Sequence, residues 1–265
     1  MKTTRKKSVM KTWIGSAFAV FVAASAQAEV VVNFGENYIT GKIQREDFVL
    51  PEPVDVPDTN KRTWKYSDSA PISPAANYTG PEIYGGFQTE PDGDGSAELL
   101  WITGLYNPTY EPLENTKLVA SASSGNSKLT ALFTFKPAVG SGQTVCFDES
   151  SSLDYLVSST SPTRLVVKNA GTWYLSSFPL ELGGEGGSLA GFDLLDSYWA
   201  EFDPEDVSPL PEIPDANSGE YSTLGSSFTD VQSVGVYNAG YRAGENSPYV
   251  ALGKFTLTAT VAPKK

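Results

Sequence analysis

Three carboxylates stand at alternate positions in the stretch from Glu201 to Glu205, with Asp203 between them. Alternate side chains of a β-strand point to one face, and two carboxylates that flank a glycosidic bond can act as nucleophile and as acid/base. Pro204 lies inside the stretch, and a proline cannot donate to the hydrogen-bond ladder of a central strand. We therefore expect the strand to end at Asp203 and Pro204 and to pass into an acidic loop, so the three carboxylates are not predicted to act together in catalysis.

A second group of oxygen-bearing side chains stands at Asp92, Asp94 and Ser96. Oxygen ligands at alternate positions suit Ca²⁺, and this spacing is that of the opening of an EF-hand loop. The EF-hand pattern then fails, because Ala97 stands where Gly is needed and Thr103 stands where Glu is needed. Two interpretations remain open: an irregular Ca²⁺ site, or a solvated turn ahead of the next strand. Calcium is the only cofactor that the sequence suggests.

The third candidate site is aromatic. Trp64 and Tyr66 lie in a polar segment together with Lys61 and Arg62. Aromatic faces stack on sugar rings and the two cations can donate to sugar hydroxyls, so these four residues are the predicted ligand-binding group. The alternative is that the loop packs Trp64 onto the domain to cover apolar surface. The later tryptophans are expected in the core: Trp101, Trp173 and Trp199.

The absence of His and the presence of a single Cys exclude several chemistries. The chain has no His, which excludes Ser-His-Asp and Cys-His catalysis and any histidine ligand for zinc or copper. It has one cysteine, Cys146, so no intramolecular disulfide can form. Cys146 is expected to be a small buried hydrophobe.

The first 28 residues have the features of a secretory signal peptide. A basic start is followed by an apolar run from Trp13 to Ala24 and by the small-x-small pattern of Ala26 to Ala28. Of the 19 Lys and Arg residues, five lie in this segment, which leaves 14 against 31 Asp and Glu, a net charge of −17. We expect a secreted, periplasmic or cell-surface protein with no membrane span after cleavage and no affinity for nucleic acid.

Short segments with apolar side chains at alternate positions, separated by turn residues, predict an all-β protein. Residues 29–265 are expected to form one two-sheet antiparallel β-sandwich of jelly-roll type, with long irregular loops near 51–81 and 203–219. The predicted strands are 29–34, 98–104, 117–122, 128–136, 164–168, 172–176, 231–237 and 254–261. We also expect a strand, together with the segment that leads to it, in residues 189–195 and 198–202.

Three details of the predicted sheet can be tested directly. Phe255, Leu257, Ala259 and Val261 alternate with polar residues, which predicts that the last strand has one core face and one wet face. The first and last strands are expected to lie in one sheet, because both need a covered face and chain ends often lie near each other. Asn169 to Gly171 is expected to be a three-residue hairpin loop.

Two resemblances bear on function. The segments 31–38, 164–176, 198–205 and 231–258 resemble secreted proteins of Verrucomicrobia-like bacteria in which a laminin-G or carbohydrate-binding type jelly roll precedes a PEP-CTERM sorting tail. The chain ends at Pro263 to Lys265 without the motif or the hydrophobic tail of that family, so the resemblance does not extend to surface sorting. The Glu201 to Glu205 string resembles the catalytic strand of laminarinase- and lichenase-type glycosidases, in which the first Glu is the nucleophile and the last is the acid/base.

From these observations we expect a secreted, non-catalytic module that binds extracellular polysaccharide or belongs to an extracellular matrix. One alternative is a carboxylate-using glycan hydrolase or lyase on a jelly-roll fold, and another is a structural component of the cell envelope. A close pair of carboxylates in a groove would favour the enzyme, and exposed aromatic side chains would favour the binding module.

Overall fold

The computed structural model describes residues 26–35, 80–90, 98–104, 116–122, 128–183, 186–204, 219, 222–223, 228–239 and 249–264. These residues form fourteen strands and one short helix. The elements are β1 Gln27–Phe34, β2 Ile83–Glu90, β3 Glu98–Gly104, β4 Thr116–Ala122, β5 Lys128–Phe135, β6 Gln143–Cys146, β7 Ser152–Ser159, β8 Thr163–Asn169, β9 Thr172–Pro179, β10 Gly187–Ala190, α1 Gly191–Asp196, β11 Tyr198–Glu201, β12 Ser222–Thr223, β13 Val231–Ala239 and β14 Tyr249–Pro263.

The strands pair antiparallel in one connected sheet that has two arms. In the first arm, β14 is central and pairs with β7, β1 and β4. Strand β10 in turn pairs with β7, and β3 pairs with β4. In the second arm the order is β2-β5-β13-β8-β9-β11-β12. Strand β6 pairs with both β14 and β13 and so joins the arms. The fold is therefore all-β and antiparallel, as predicted.

The sheet curls so that the inward faces of the two arms share one hydrophobic core. The ring of Phe135, from the second arm, lies 5.2 Å from that of Phe34 and 5.3 Å from that of Phe255, both from the first arm. These three side chains are completely buried. Contacts between rings from opposite arms hold the arms face to face, as in a β-sandwich.

The first and last strands lie side by side, which confirms that prediction. The register places Val30 opposite Thr258 and Phe34 opposite Phe255. Strand β14 begins earlier than the predicted residue 254 and has fifteen residues. Its length lets it pair with β4 and β7 near its start and with β1 and β6 near its end.

The predicted β8–β9 hairpin is present, with a shorter loop than expected. Asn169 pairs with Thr172, so the loop has two residues, Ala170 and Gly171. Their φ angles are 50° and 90°, and a two-residue hairpin loop with positive φ at both positions matches the right-handed twist of its strands. The prediction of a three-residue loop was wrong because Asn169 belongs to the ladder.

Residues 191–196 form the helix α1 instead of the predicted strand. Asp193 Oδ2 accepts a hydrogen bond of 2.8 Å from the backbone N of Ala190 at the start of the helix. The indole N–H of Trp199 donates to the carbonyl of Leu194, and both side chains are buried. One and a half turns of helix are too short to produce a readable helical period, and only β10 and β11 on either side are strands.

The second arm is also covered on its outer face. Alternate residues of its strands, pointing away from the core, form a second buried cluster of Leu132, Val166, Trp173, Leu175 and Tyr237. The ring of Phe202 packs on this cluster, 6.4 Å from Trp173 and 5.4 Å from Tyr237. Around this cluster, the second arm is therefore buried on both of its faces.

Helix α1 has six residues, and the part of the chain that the structure describes contains no helix long and apolar enough to cross a membrane.

Candidate functional site

The outward-facing side chains of β14 form a mostly polar surface, beside which the exposed Val30 of β1 lies opposite Thr258. Phe255, Leu257, Ala259 and Val261 lie in the core, as predicted, and Lys254, Thr256, Thr258 and Thr260 alternate with them on the opposite face. Asp154 and Ser158 of β7 and Asn33 of β1 lie on the same side. We call this surface the outer face of the first arm.

A β-bulge brings Tyr249 onto this face. The pairing of β14 with β7 shifts between Leu252 and Lys254, so Gly253 is an extra residue on β14. Strict alternation backwards from Phe255 would place Tyr249 in the core. The bulge moves the pattern by one residue, so Val250 and Leu252 are buried and Tyr249 points outward with 37% of its surface exposed.

The backbone of Tyr249 is held on both sides by the end of β7. Its N–H donates to Thr160 Oγ1 at 3.1 Å, and its carbonyl accepts from the backbone N of Thr160 at 3.1 Å and from Ser159 Oγ at 3.1 Å. The Tyr249 hydroxyl lies 3.0 Å from Ser158 Oγ. The exposed ring is thus fixed at its backbone and at its hydroxyl.

A buried asparagine supports this corner from below. Asn238 is 1% exposed and donates through Nδ2 to Ser159 Oγ and to Thr163 Oγ1, each at 2.8 Å. Its Oδ1 accepts from Ser161 Oγ at 3.1 Å. A buried amide with its hydrogen bonds satisfied rigidifies its surroundings, so Asn238 fixes the β7–β8 turn, which carries Thr160, onto β13.

The middle of the face carries one ion pair and one polar pair. Lys254 Nζ lies 3.6 Å from Asp154 Oδ2, and their side chains are 43% and 49% exposed. At this exposure the pair contributes little to stability. One step along the strand, Thr256 Oγ1 donates to Asn33 Oδ1 at 3.3 Å. The Thr256 hydroxyl, which donates here, can also accept a hydrogen bond from a ligand.

The far end of the face contains a carboxylate surrounded by hydroxyls. Asp148 accepts from the backbone N of Ser150 at 2.9 Å and from the hydroxyls of Ser150, Ser151 and Thr260. Partial burial raises the pKa of Asp148, but hydrogen bonds from Ser150, Thr260 and Ser151 outweigh it and hold the pKa below its ordinary value. Asp148 is therefore an ionised acceptor that fixes the β6–β7 turn onto β14.

The arrangement can bind hydroxyl-rich molecules. It offers an exposed aromatic ring, hydroxyls that donate and accept, an amide, and one ammonium–carboxylate pair, and sugars use both the stacking and the hydrogen-bonding capacity of such groups. Among the residues that the structure describes, no three His, Cys, Asp or Glu side chains could hold a metal ion together.

The predicted site residues all lie outside the described residues. This applies to the predicted ligand-binding group Lys61, Arg62, Trp64 and Tyr66 and to the predicted calcium ligands Asp92, Asp94 and Ser96. These assignments therefore stay predictions. The outer face of the first arm adds a second candidate site, which does not depend on them.

The carboxylates of the Glu201 to Glu205 stretch do not continue a strand. Strand β11 ends at Glu201, two residues before Asp203 and slightly earlier than predicted. Glu201 and Asp203 are exposed, Pro204 is buried in a turn, and Glu205 lies outside the described residues. The described part of this stretch thus lacks the continuous strand that would place alternate carboxylates on one face.

Two further predictions concern single residues. Trp173 and Trp199 are 7% and 1% exposed, which confirms that they are core residues. For Trp101 the structure describes only the backbone, in β3. Cys146 was expected to be buried and is half-buried, because it lies on the outward side of β6, where its thiol donates to the carbonyl of Thr229 at 3.3 Å.

Sequence analysis found part of this face and missed its aromatic residue. The alternation of Lys254 to Val261 predicted the wet side of β14 correctly. Tyr249 was missed because the alternation breaks at Gly253. A glycine that interrupts a strand pattern is a signal of a bulge, and it could have been used here.

Comparison of the chain with models of known protein families gives no match. Comparison with curated proteins gives none either.

Proposed function

We propose that this protein is a secreted, non-catalytic module that binds extracellular polysaccharide through the outer face of the first arm. The observation that carries the proposal is the exposed ring of Tyr249, held at its backbone by Thr160 and next to the hydroxyl of Ser158. A rigid aromatic ring beside fixed hydroxyls loses little conformational entropy when it stacks on a sugar.

Three sequence features support the proposal without depending on the site. The signal-peptide pattern of residues 1–28 favours export. The net charge of −12 disfavours nucleic acid and anionic lipid as partners. The resemblance to jelly-roll proteins of the carbohydrate-binding type points to the same class of ligand.

A glycan array with the purified protein, with and without Ca²⁺, tests the proposal. We expect binding to polysaccharides, and we expect Tyr249→Ala to weaken it about tenfold or more, because loss of an anchoring aromatic side chain typically has an effect of this size. The melting temperature should change by only a few degrees, since much of the ring is exposed. A dependence on Ca²⁺ would support the predicted site at Asp92, Asp94 and Ser96.

Tyr198→Ala is the matched control. Tyr198 is also an exposed tyrosine, at 55%, but it lies on β11 in the second arm. This variant should bind as the unmodified protein does. An array without any bound glycan, or a Tyr249→Ala variant with unchanged affinity, would contradict the proposal.

A further inference from the structure

The polar groups on the outer face of the first arm follow most of one strand. Tyr249 lies at one end, Lys254 and Thr256 lie in the middle, and Thr258 lies at the other end, before the buried Thr260. Nine residue steps of a β-strand span about 30 Å, somewhat less where a bulge intervenes. This distance is several times the length of one sugar ring, so a single sugar could touch only a small part of the face.

Polar side chains of neighbouring segments lie beside these residues at successive positions along β14. Ser158 lies beside Tyr249, Asp154 beside Lys254, Asn33 beside Thr256, and Ser150 with its hydroxyl 3.2 Å from Thr260 Oγ1. From Tyr249 to Thr258, the outward positions of β14 therefore lie beside groups that can donate or accept, whereas Thr260 is buried and donates to Asp148. An extended chain of sugars offers hydroxyls at a similarly regular interval.

The charges on the face are locally balanced or already occupied. The ammonium of Lys254 lies against the carboxylate of Asp154, and the carboxylate of Asp148 accepts hydrogen bonds from Ser150 and Thr260. A polyanion would meet one paired cation on a chain whose net charge is −12. The hydroxyl-bearing side chains of Ser158, Thr256 and Thr258 carry no charge and suit a neutral ligand.

From this spacing and this charge balance we propose that the face binds an internal stretch of a long, neutral, extended polysaccharide that lies along β14, and that it does not select single sugars or chain ends. This inference rests on the proposed function and deepens it by naming the ligand class. Tyr249 is the aromatic contact at one end, and Thr256 and Thr258 contact sugars further along the chain.

Calorimetric titration of the purified protein with oligosaccharide ladders tests this inference. The probes are β-1,4-linked gluco-, manno- and xylo-oligosaccharides from disaccharide to hexasaccharide, with oligogalacturonates as polyanions of matched length. For at least one neutral ladder, affinity should rise about tenfold or more between disaccharide and hexasaccharide. The oligogalacturonates should bind at least about tenfold more weakly than the neutral hexasaccharide.

Two variants test where the oligosaccharide lies along β14. Thr256→Val with Thr258→Val keeps the shape of the side chains and removes two hydroxyls, so it should weaken binding of the hexasaccharide several-fold and leave the disaccharide unchanged. Tyr249→Ala should weaken binding of both. Tyr198→Ala should change neither.

The failure of this inference can be distinguished from the failure of the proposed function. Three results would overturn the inference and leave the proposed glycan-binding function in place. The disaccharide could bind as tightly as the hexasaccharide, or the oligogalacturonates could bind more tightly than the neutral hexasaccharide. The third is binding on the glycan array with no binding of any neutral oligosaccharide series in the calorimeter. An array with no bound glycan would overturn both.

Discussion

The outer faces of the two arms are built from the same alternating strands but have opposite character. In the second arm, Val166, Leu175 and Tyr237 point away from the core and are still buried, with Phe202 packed on them. In the first arm, Tyr249 and Lys254 point away from the core and are substantially exposed. One arm buries its outer face, and the other leaves its outer face exposed, which is the face that we propose for binding.

The difference can be read in the sequences of the strands. Strand β8 has three consecutive apolar residues, Leu165 to Val167, and a continuous apolar run is typical of a strand that is buried on both faces. Strand β14 alternates Thr with apolar residues from Phe255 to Val261, which is typical of a half-buried strand. An outer face with many polar side chains contributes little to folding, so its residues can be selected for binding.

The largest expected difference between the two faces is in stability. Leu175→Ala should lower the free energy of unfolding by about 2–5 kcal/mol, because it removes a completely buried side chain from the outer cluster of the second arm. Thr256→Ala on the first arm should change it by less than about 1 kcal/mol. Urea unfolding of both variants measures the difference. Equal, small losses would mean that the outer cluster of the second arm does not act as a core.

A smaller expected difference is in the response to alkali. Burial raises the pKa of Tyr237, and burial together with a hydrogen bond to Glu82 raises the pKa of Tyr84 to about 12. Both side chains lie on the outer face of the second arm. An unfolded tyrosine has a pKa of about 10, so the unfolded state loses these protons at a lower pH than the folded state does. The stability that the neutral phenols contribute is therefore complete below about pH 10 and is lost as the pH rises towards 12.

Urea unfolding at a series of pH values from 8 to about 11 follows this loss. Tyr237→Phe should make the decline above about pH 10 shallower, because one of the buried phenols can no longer ionise. Tyr198→Phe, at an exposed position on β11, is the control and should leave the decline as it is. A decline that is the same in all three proteins would show that Tyr237 does not contribute to it.

Much of the fold could be predicted from the sequence, because the strands with clear periodicity are also the central ones. The all-β class, the neighbouring first and last strands and the wet side of β14 follow from apolar residues at alternate positions. Four strands were missed: β2, β6, β7 and β12. Strand β2 contains two consecutive glycines, β6 and β12 are too short to show a period, and the polar residues of β7, among them Ser152 and Asp154, obscured its alternation.

The candidate site was less predictable than the fold, because it depends on local departures from regular structure. The bulge at Gly253 decides which face Tyr249 occupies, and a one-residue shift exchanges the two faces of a strand. That tyrosine is supported by Ser159 and Thr160, which lie 90 and 89 residues before it in the chain, and Ser159 is in turn held by Asn238, 79 residues away. Contacts of this range leave no periodic signal.

Hydroxyl-radical footprinting tests the central claim most directly, because it compares one exposed tyrosine from each arm in the same sample. The protein is oxidised alone and in the presence of the neutral oligosaccharide that binds most tightly in the calorimetric titrations, and the modification of Tyr249 and Tyr198 is measured by mass spectrometry. The account predicts that the oligosaccharide protects Tyr249 and leaves Tyr198 as reactive as before. Protection of Tyr198 with no protection of Tyr249 would contradict it.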